Sequence, residues 1–173
     1  MKLTICFVVV LLAIFAAYNA EIIEQNNDNK IENSKIENDV LLFLLVGTVS
    51  FLFDFCSLKH VYIHCKQNIF TVFTLFVHHL IAVFMYFGWM SKTKQMLKLH
   101  ILAFFIVFCV QNINLGTCPL TVYVNQKCNL PTHHYMRDVL YFTNFKHFHL
   151  YTMFMTFSFA MSVYKLSIFP KAD

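Results

Sequence analysis

Glycine and proline are scarce in this 173-residue chain, three of each, and there is a single tryptophan. So few helix breakers exclude a turn-rich β-fold and favour long helices. Charge is scarce as well: charged residues make up 13% of the chain, against about 25% in soluble domains. Such a chain cannot clothe itself in a water-compatible surface. There is no glycine-rich phosphate loop, no serine nucleophile elbow and no Cys-x-x-Cys motif. Acids are nearly missing outside one segment: apart from residues 21–39 only Asp54, Asp138 and Asp173 occur, against eleven Lys and Arg. Those basic residues are too dispersed to grip a phosphate backbone, so no nucleic acid is expected as a partner.

What the chain does have is phenylalanine, 21 residues of it, within a 58% hydrophobic composition and a mean hydropathy of +0.60. The expected fold is all-α, an integral membrane helical bundle of about four transmembrane helices behind an N-terminal signal or anchor segment. Residues 1–20 read as that segment: Lys2, an apolar run from Ile5 to Ala17, then small and polar residues. Tyr18 makes a poor cleavage context, which leaves an uncleaved anchor as the alternative. Residues 21–39 hold six acids and a tandem repeat, Lys-Ile-Glu-Asn-Ser then Lys-Ile-Glu-Asn-Asp. With so little to bury, this segment is expected to be a disordered acidic tail or linker. The membrane bundle is expected over residues 40–169, with apolar segments at Val40 to Phe55, Asn68 to Trp89, Met96 to Leu115 and Phe148 to Phe169. Open sheet edges do not survive in lipid, and the segments lack barrel alternation.

Orientation signals disagree. Lys92, Lys94 and Lys98 crowd the second loop, and the positive-inside rule places that loop in the cytosol. Four cysteines then fall on the oxidising side. A cleaved signal followed by four spans predicts the reverse arrangement.

Cysteines and histidines carry whatever chemistry is on offer. Cys109, within the third apolar segment, is expected as a small buried hydrophobe. Cys56, Cys65, Cys118 and Cys128 allow two disulfides in three pairings. A helix between Cys118 and Cys128 would hold their Cα atoms ~15 Å apart and forbid that pairing, whereas a turned segment permits it. Leu-Thr-Val-Tyr-Val looks extended, which favours the turned case. His60 and His64 stand one helical turn apart, a spacing that suits a metal pair. His78 and His79 lie mid-span and diverge by ~100° around a helix, so one of the two is expected to face the bundle interior. His100, Gln111 and Asn114 share one face of the third segment. Asp54 is the only acid in an apolar span, and a charge at the bilayer centre costs ~2.5–3.5 kcal/mol or more. Asp54, Gln111 and Asn114 are therefore expected to point into a polar bundle interior.

The histidines admit three readings: interhelical hydrogen bonding, a haem or metal site using His78 or His79 with His100, and a proton or quinone site using Asp54 and a histidine. The first of these leads.

At Cys118-Pro-Leu-Thr the chain resembles a family of small multi-spanning membrane proteins of unknown function, found in bacteria and with giant-DNA-virus relatives. The likeness covers roughly Phe73 to Phe142. It includes His78 or His79 followed by Gly88, a second helix opening near His100, Asn112 and Asn114 before the cysteine, and Val124-Asn125-Gln126-Lys127-Cys128 after it. Bacterial members have a Glu soon after the Thr, and this chain has none there. The resemblance implies architecture and no activity. The expectation is thus a multi-pass protein of an endomembrane (secretory pathway or endoplasmic reticulum) or a virus-derived membrane. Its leading role is structural or interaction work, with the lipid bilayer, membrane-protein partners or a second copy of itself as company. The alternative is a small membrane oxidoreductase, or a haem-, metal- or quinone-binding protein.

Overall fold

The computed structural model describes residues 31–57, 68–114, 117–130 and 148–169. Five α-helices fill them: α1 (Ile31–Ser57), α2 (Ile69–Phe87), α3 (Lys94–Ile113), α4 (Pro119–Lys127) and α5 (Phe148–Ile168). A single 3-10 turn, Gly88–Met90, joins the end of α2 toward α3. No strand occurs among the described residues, and the all-α bundle stands. Among the described residues, three helices are long and apolar enough to cross a membrane: Lys35–Cys56 within α1, Ile69–Met90, and Lys94–Ile113.

α5 has the length of a span, 21 residues, but it is not among those three. Its apolar content is diluted by hydroxyls and by Lys165, and two of those hydroxyls, on Ser158 and Ser162, are fully buried. They face inward and hydrogen-bond to α2 and α3. A segment expected to cross on apolarity therefore belongs to the bundle through its polar side.

The helices start where local chemistry tells them to. Asn68 caps α2, its side chain accepting from the Phe70 N–H at 3.1 Å. Thr93 caps α3, accepting from the Met96 N–H at 3.4 Å. Each side-chain oxygen satisfies a donor that a helix start otherwise orphans. Pro119 occupies the first turn of α4, where its missing N–H costs nothing. Leu-Thr-Val-Tyr-Val is thus helical and not extended, because it follows a proline start and buries Thr121, Val124 and Asn125 on one side.

α1 and α2 form the tightest pair. A Cβ on Gly47 would come within 3.3 Å of the Leu80 Cα, so glycine there sets how closely the two backbones approach. The core between them holds Leu42, Phe43, Val46, Ala82, Val83 and Tyr86, joined by Met96 of α3. Phe43 meets Phe84 edge-on, with centroids 5.3 Å apart. α4 packs on another flank of α2, where Leu75, Val124 and Cys128 make a second core against Phe51 and Phe55. α3 buries Met96, Leu97 and His100 in its first half, while Phe105, Ile106, Phe108, Val110 and Ile113 are exposed.

α1 begins at Ile31, so all of the tandem repeat but Lys30 is helical where a disordered tail is expected. The reason is at its end: Asp39 is fully buried. Its carboxylate accepts from the Lys92 N–H at 3.0 Å and the Thr93 hydroxyl at 3.5 Å. That contact anchors the start of α1 to the turn between α2 and α3. Nearby, Lys165 Nζ near the end of α5 donates to the carbonyls of Trp89 and Ser91 at 3.0 and 2.8 Å. The start of α1, the lysine-rich turn and the end of α5 therefore lie together at one end of the bundle.

A candidate proton site between α1 and α2

Fifteen residues beyond Asp39, α1 presents a second buried acid. Asp54, Ser50 and His79 are all fully buried, 0% exposed. Ser50 and Asp54 are four residues apart and share one face of α1. His79 of α2 reaches between them. Its Nε2 lies 3.2 Å from Asp54 Oδ2, and its Nδ1 lies 2.8 Å from Ser50 Oγ. With the carboxylate accepting at Nε2–H, Nδ1 is the acceptor for the Ser50 hydroxyl. Phe51 covers the imidazole edge-on at 6.0 Å. The result is a hydrogen-bonded chain of carboxylate, imidazole and hydroxyl enclosed in apolar side chains.

His78 turns the other way. Its Nδ1 lies 3.8 Å from the Cys118 sulfur at the start of α4, and its ring stands 5.9 Å from that of His79. Of the two adjacent histidines, His79 is fully buried and His78 half-buried. α2 is flanked by α1 on one side and α4 on the other, so a 100° divergence gives each ring its own partner.

His100 is spent on architecture. Nε2–H donates to the Met85 carbonyl at 3.1 Å, which also accepts from the Ser158 hydroxyl at 2.8 Å. Nδ1 accepts from the Ser162 hydroxyl at 2.7 Å. One imidazole thereby ties α2, α3 and α5 together. Gly88 makes room for it, since a Cβ there would stand 2.6 Å from His100 Cγ.

His79 and His100 do not fit the haem or metal reading. Both ring nitrogens of His79 and of His100 are already hydrogen-bonded, and an axial ligand needs one of them open. Among the described residues no group of three or more His, Cys, Asp or Glu is placed to hold a metal ion. His60 and His64, the proposed metal pair, lie outside the described residues.

Gln111 and Asn114 do not join the interior. Both are half-buried at the far end of α3, and Asn114 closes that helix, its Nδ2 donating to the Thr117 carbonyl at 3.1 Å. The face begun by His100 ends there because only the first half of α3 is covered by neighbours. Cys109, expected to be buried, is exposed for the same reason. The cysteine expectations also change. Cys56 and Cys118 are free thiols, as is Cys109. Cys118 and Cys128 flank α4 as its two caps, so the turned arrangement that permitted their pairing does not exist. Cys128 is buried at the end of α4, and Cys65 lies outside the described residues.

Ser50, Asp39, Ser158 and Ser162 were missed by sequence reasoning. Ser50 had a usable signal, its spacing of four from the one intramembrane acid. The serines of α5 had only a shared spacing of four, which is common in any helix. No family model, no curated protein and no solved structure matches this chain.

Proposed function

We propose that this chain is an integral membrane protein whose working centre is a proton relay, Asp54–His79–Ser50. The observation that carries the reading is the double engagement of His79, carboxylate at one nitrogen and hydroxyl at the other, with all three residues fully buried. Ionisable groups enclosed among apolar helices are expensive, and their usual use is the movement of protons or ions. Asp54 and His79 share a proton between them: as carboxylate and imidazolium, or as carboxylic acid and imidazole, the pair stays neutral in sum. The imidazole then passes a proton to or from the Ser50 hydroxyl, which lies one helical turn, ~6 Å of rise, along α1 from Asp54. Such a relay serves acid–base chemistry on a lipid-soluble substrate of quinone type.

The compartment we assign is an endomembrane or a virus-derived membrane. The Lys-rich end faces the cytosolic leaflet, which puts the start of α1 on that same side. Residues 1–20 then act as an anchor and not as a cleaved signal. Membership of the Cys-x-Leu-Thr family is proposed on the quoted residues alone.

A second reading, a structural or interaction role in the same membrane, is favoured by the His100 cluster, which does nothing but join helices. Infrared difference spectra of the reconstituted protein across a pH jump separate the two. A relay gives a carboxyl band that disappears in Asp54→Asn and shifts in both His79→Gln and Ser50→Ala. A purely architectural pair gives no pH-dependent carboxyl band, and that result removes the relay.

A further inference from the structure

The lysine-rich end of the bundle carries a second site, one that does not rest on the relay. All three spans end there: Lys35 opens the first, Met90 closes the second and Lys94 opens the third. That is the level at which lipid headgroups meet the protein. Lys35 stands one helical turn before Asp39 on the same face of α1, near enough to Lys92 for the two amines to repel. Lys92 in turn repels Lys165 of α5. Three ammonium groups are thus drawn around one carboxylate, Asp39, which is already engaged by the Lys92 N–H and the Thr93 hydroxyl. Three positive charges less one negative leave the cluster two in excess. Glu37 does not offset them: it is exposed and lies ~200° from Lys35 around the helix.

What the cluster lacks is an acceptor. The Lys165 ammonium gives two protons to the Trp89 and Ser91 carbonyls and has a third to give. The side chains of those same two residues carry unmet donors. Trp89 Nε1–H and the Ser91 hydroxyl are buried with no hydrogen-bond partner among the described residues. An ammonium and an indole N–H can only donate, so the missing partner is an anion. A phosphodiester group has the charge and the acceptor oxygens for this set. Position decides its source. The Trp89 ring lies against the exposed Phe157 of α5, with centroids 5.6 Å apart. Phe157 stands eight residues, ~12 Å of helix rise, deeper in the bundle than Lys165. Apolar surface therefore runs down from the ammonium groups, which an acyl lipid needs and free phosphate does not.

We propose that this end of the bundle binds the phosphate of one anionic phospholipid, held by Lys35, Lys92 and Lys165, with Trp89 Nε1–H and the Ser91 hydroxyl as neutral donors. The bound phosphate bridges the start of α1, the turn between α2 and α3, and the end of α5.

Trp89 is the only tryptophan in the chain, so its fluorescence reads the site. The full-length protein is reconstituted in phosphatidylcholine vesicles containing a rising fraction of acyl-brominated phosphatidylglycerol. A parallel series uses acyl-brominated phosphatidylcholine as the quencher. Quenching by the anionic lipid is expected to saturate at a low mole fraction, well before the neutral series does. Lys35→Gln and Lys92→Gln each weaken that preference about fivefold, the equivalent of ~1 kcal/mol per lysine near the membrane surface. Lys92→Gln keeps the backbone N–H that Asp39 holds, so it stays informative where Lys165→Met, which should weaken binding further, disturbs the fold. Lys127→Gln, in the last turn of α4, leaves the preference unchanged. Asp54→Asn does the same, because Asp54 lies fifteen residues, ~22 Å, along α1 from Asp39; failure here is thus separate from failure of the relay. Equal quenching by the two lipids, a wild-type preference in both lysine-to-glutamine variants at this end, or an equal loss in Lys127→Gln would overturn the site. Reversal of the quenching by inorganic phosphate would overturn the lipid as its occupant.

Discussion

Gly88→Ala is the smallest change that tests how the bundle is held. Gly88 sits where α2 gives way to the 3-10 turn, and an added methyl would stand 2.6 Å from His100 Cγ and 3.0 Å from Nε2. The imidazole cannot retreat freely, because the Met85 carbonyl and the Ser162 hydroxyl hold its two nitrogens. Phe84 and Phe104 flank it edge-on at 5.3 and 6.3 Å. Overpacking of this kind costs about 1–3 kcal/mol. Displacing the ring also loses two interhelical hydrogen bonds, each about 0.6 kcal/mol in membrane bundles. The expected destabilisation is therefore about 2–4 kcal/mol. Denaturant titration of the purified protein in mixed micelles, followed by circular dichroism, reads it. A double-mutant cycle with His100→Ala gives the decisive comparison: once the ring is gone, the added methyl at position 88 should cost almost nothing. If Gly88→Ala is as stable as the parent, or costs the same with and without His100, the interlock is not what fixes this end of α2.

Other consequences follow from the same contacts. Lys165→Met removes two charge-assisted hydrogen bonds to the Trp89 and Ser91 carbonyls. A loss of about 2–4 kcal/mol in the same titration is expected, at 1.5–3 for each charged bond less the apolar stem that methionine retains. The Lys92 amine is held below its ordinary value of 10.5 by burial, an effect to which Lys35 adds and which Asp39 opposes. Because the lowered value favours the neutral amine, Lys92 should react with an acylating reagent at lower pH than a fully solvated lysine, as peptide mapping across a pH series will show. Gly47→Leu should drive α1 from α2 at Leu80 and break the Asp54–His79 contact with it, abolishing any pH-dependent carboxyl band. Thiol counting with a membrane-permeant maleimide should modify Cys56 and Cys109 readily and leave Cys128, which is buried, unmodified until the protein is denatured.

Composition and apolar segment length were enough to foresee an all-helical bundle and the positions of α2 and α3 to within a few residues. Scarcity of glycine, proline and charge is a property of the whole chain, so it survives ignorance of tertiary contacts. The start of α1 was not legible, because nothing local in Lys-Ile-Glu-Asn-Asp says that its last acid will be buried against a turn more than fifty residues away. α4 was misread for a related reason. Its β-branched residues suggested an extended strand, but a proline start and the flank of α2 outweighed that weak preference. At the candidate site, Asp54 and the His78–His79 pair stood out as costly groups in apolar surroundings. Ser50 did not, because a serine in a helix is unremarkable until its neighbour across the seam is known. The half-buried state of Gln111 and Asn114 shows the limit of helical-face arguments: a shared face is buried only as far as another helix covers it.

The central claim is that Asp54, His79 and Ser50 act as one proton-sharing unit. Nitrogen-15 chemical shifts of His79 in the protein reconstituted in bilayers, recorded across pH with and without Asp54→Asn, test it most directly. The account predicts that both ring nitrogens are hydrogen-bonded in the parent, that they change together in a single pH-dependent step, and that Asp54→Asn shifts or removes that step. A His79 ring whose shifts are constant over the pH range in which the protein stays folded, or whose titration is indifferent to Asp54, would contradict it.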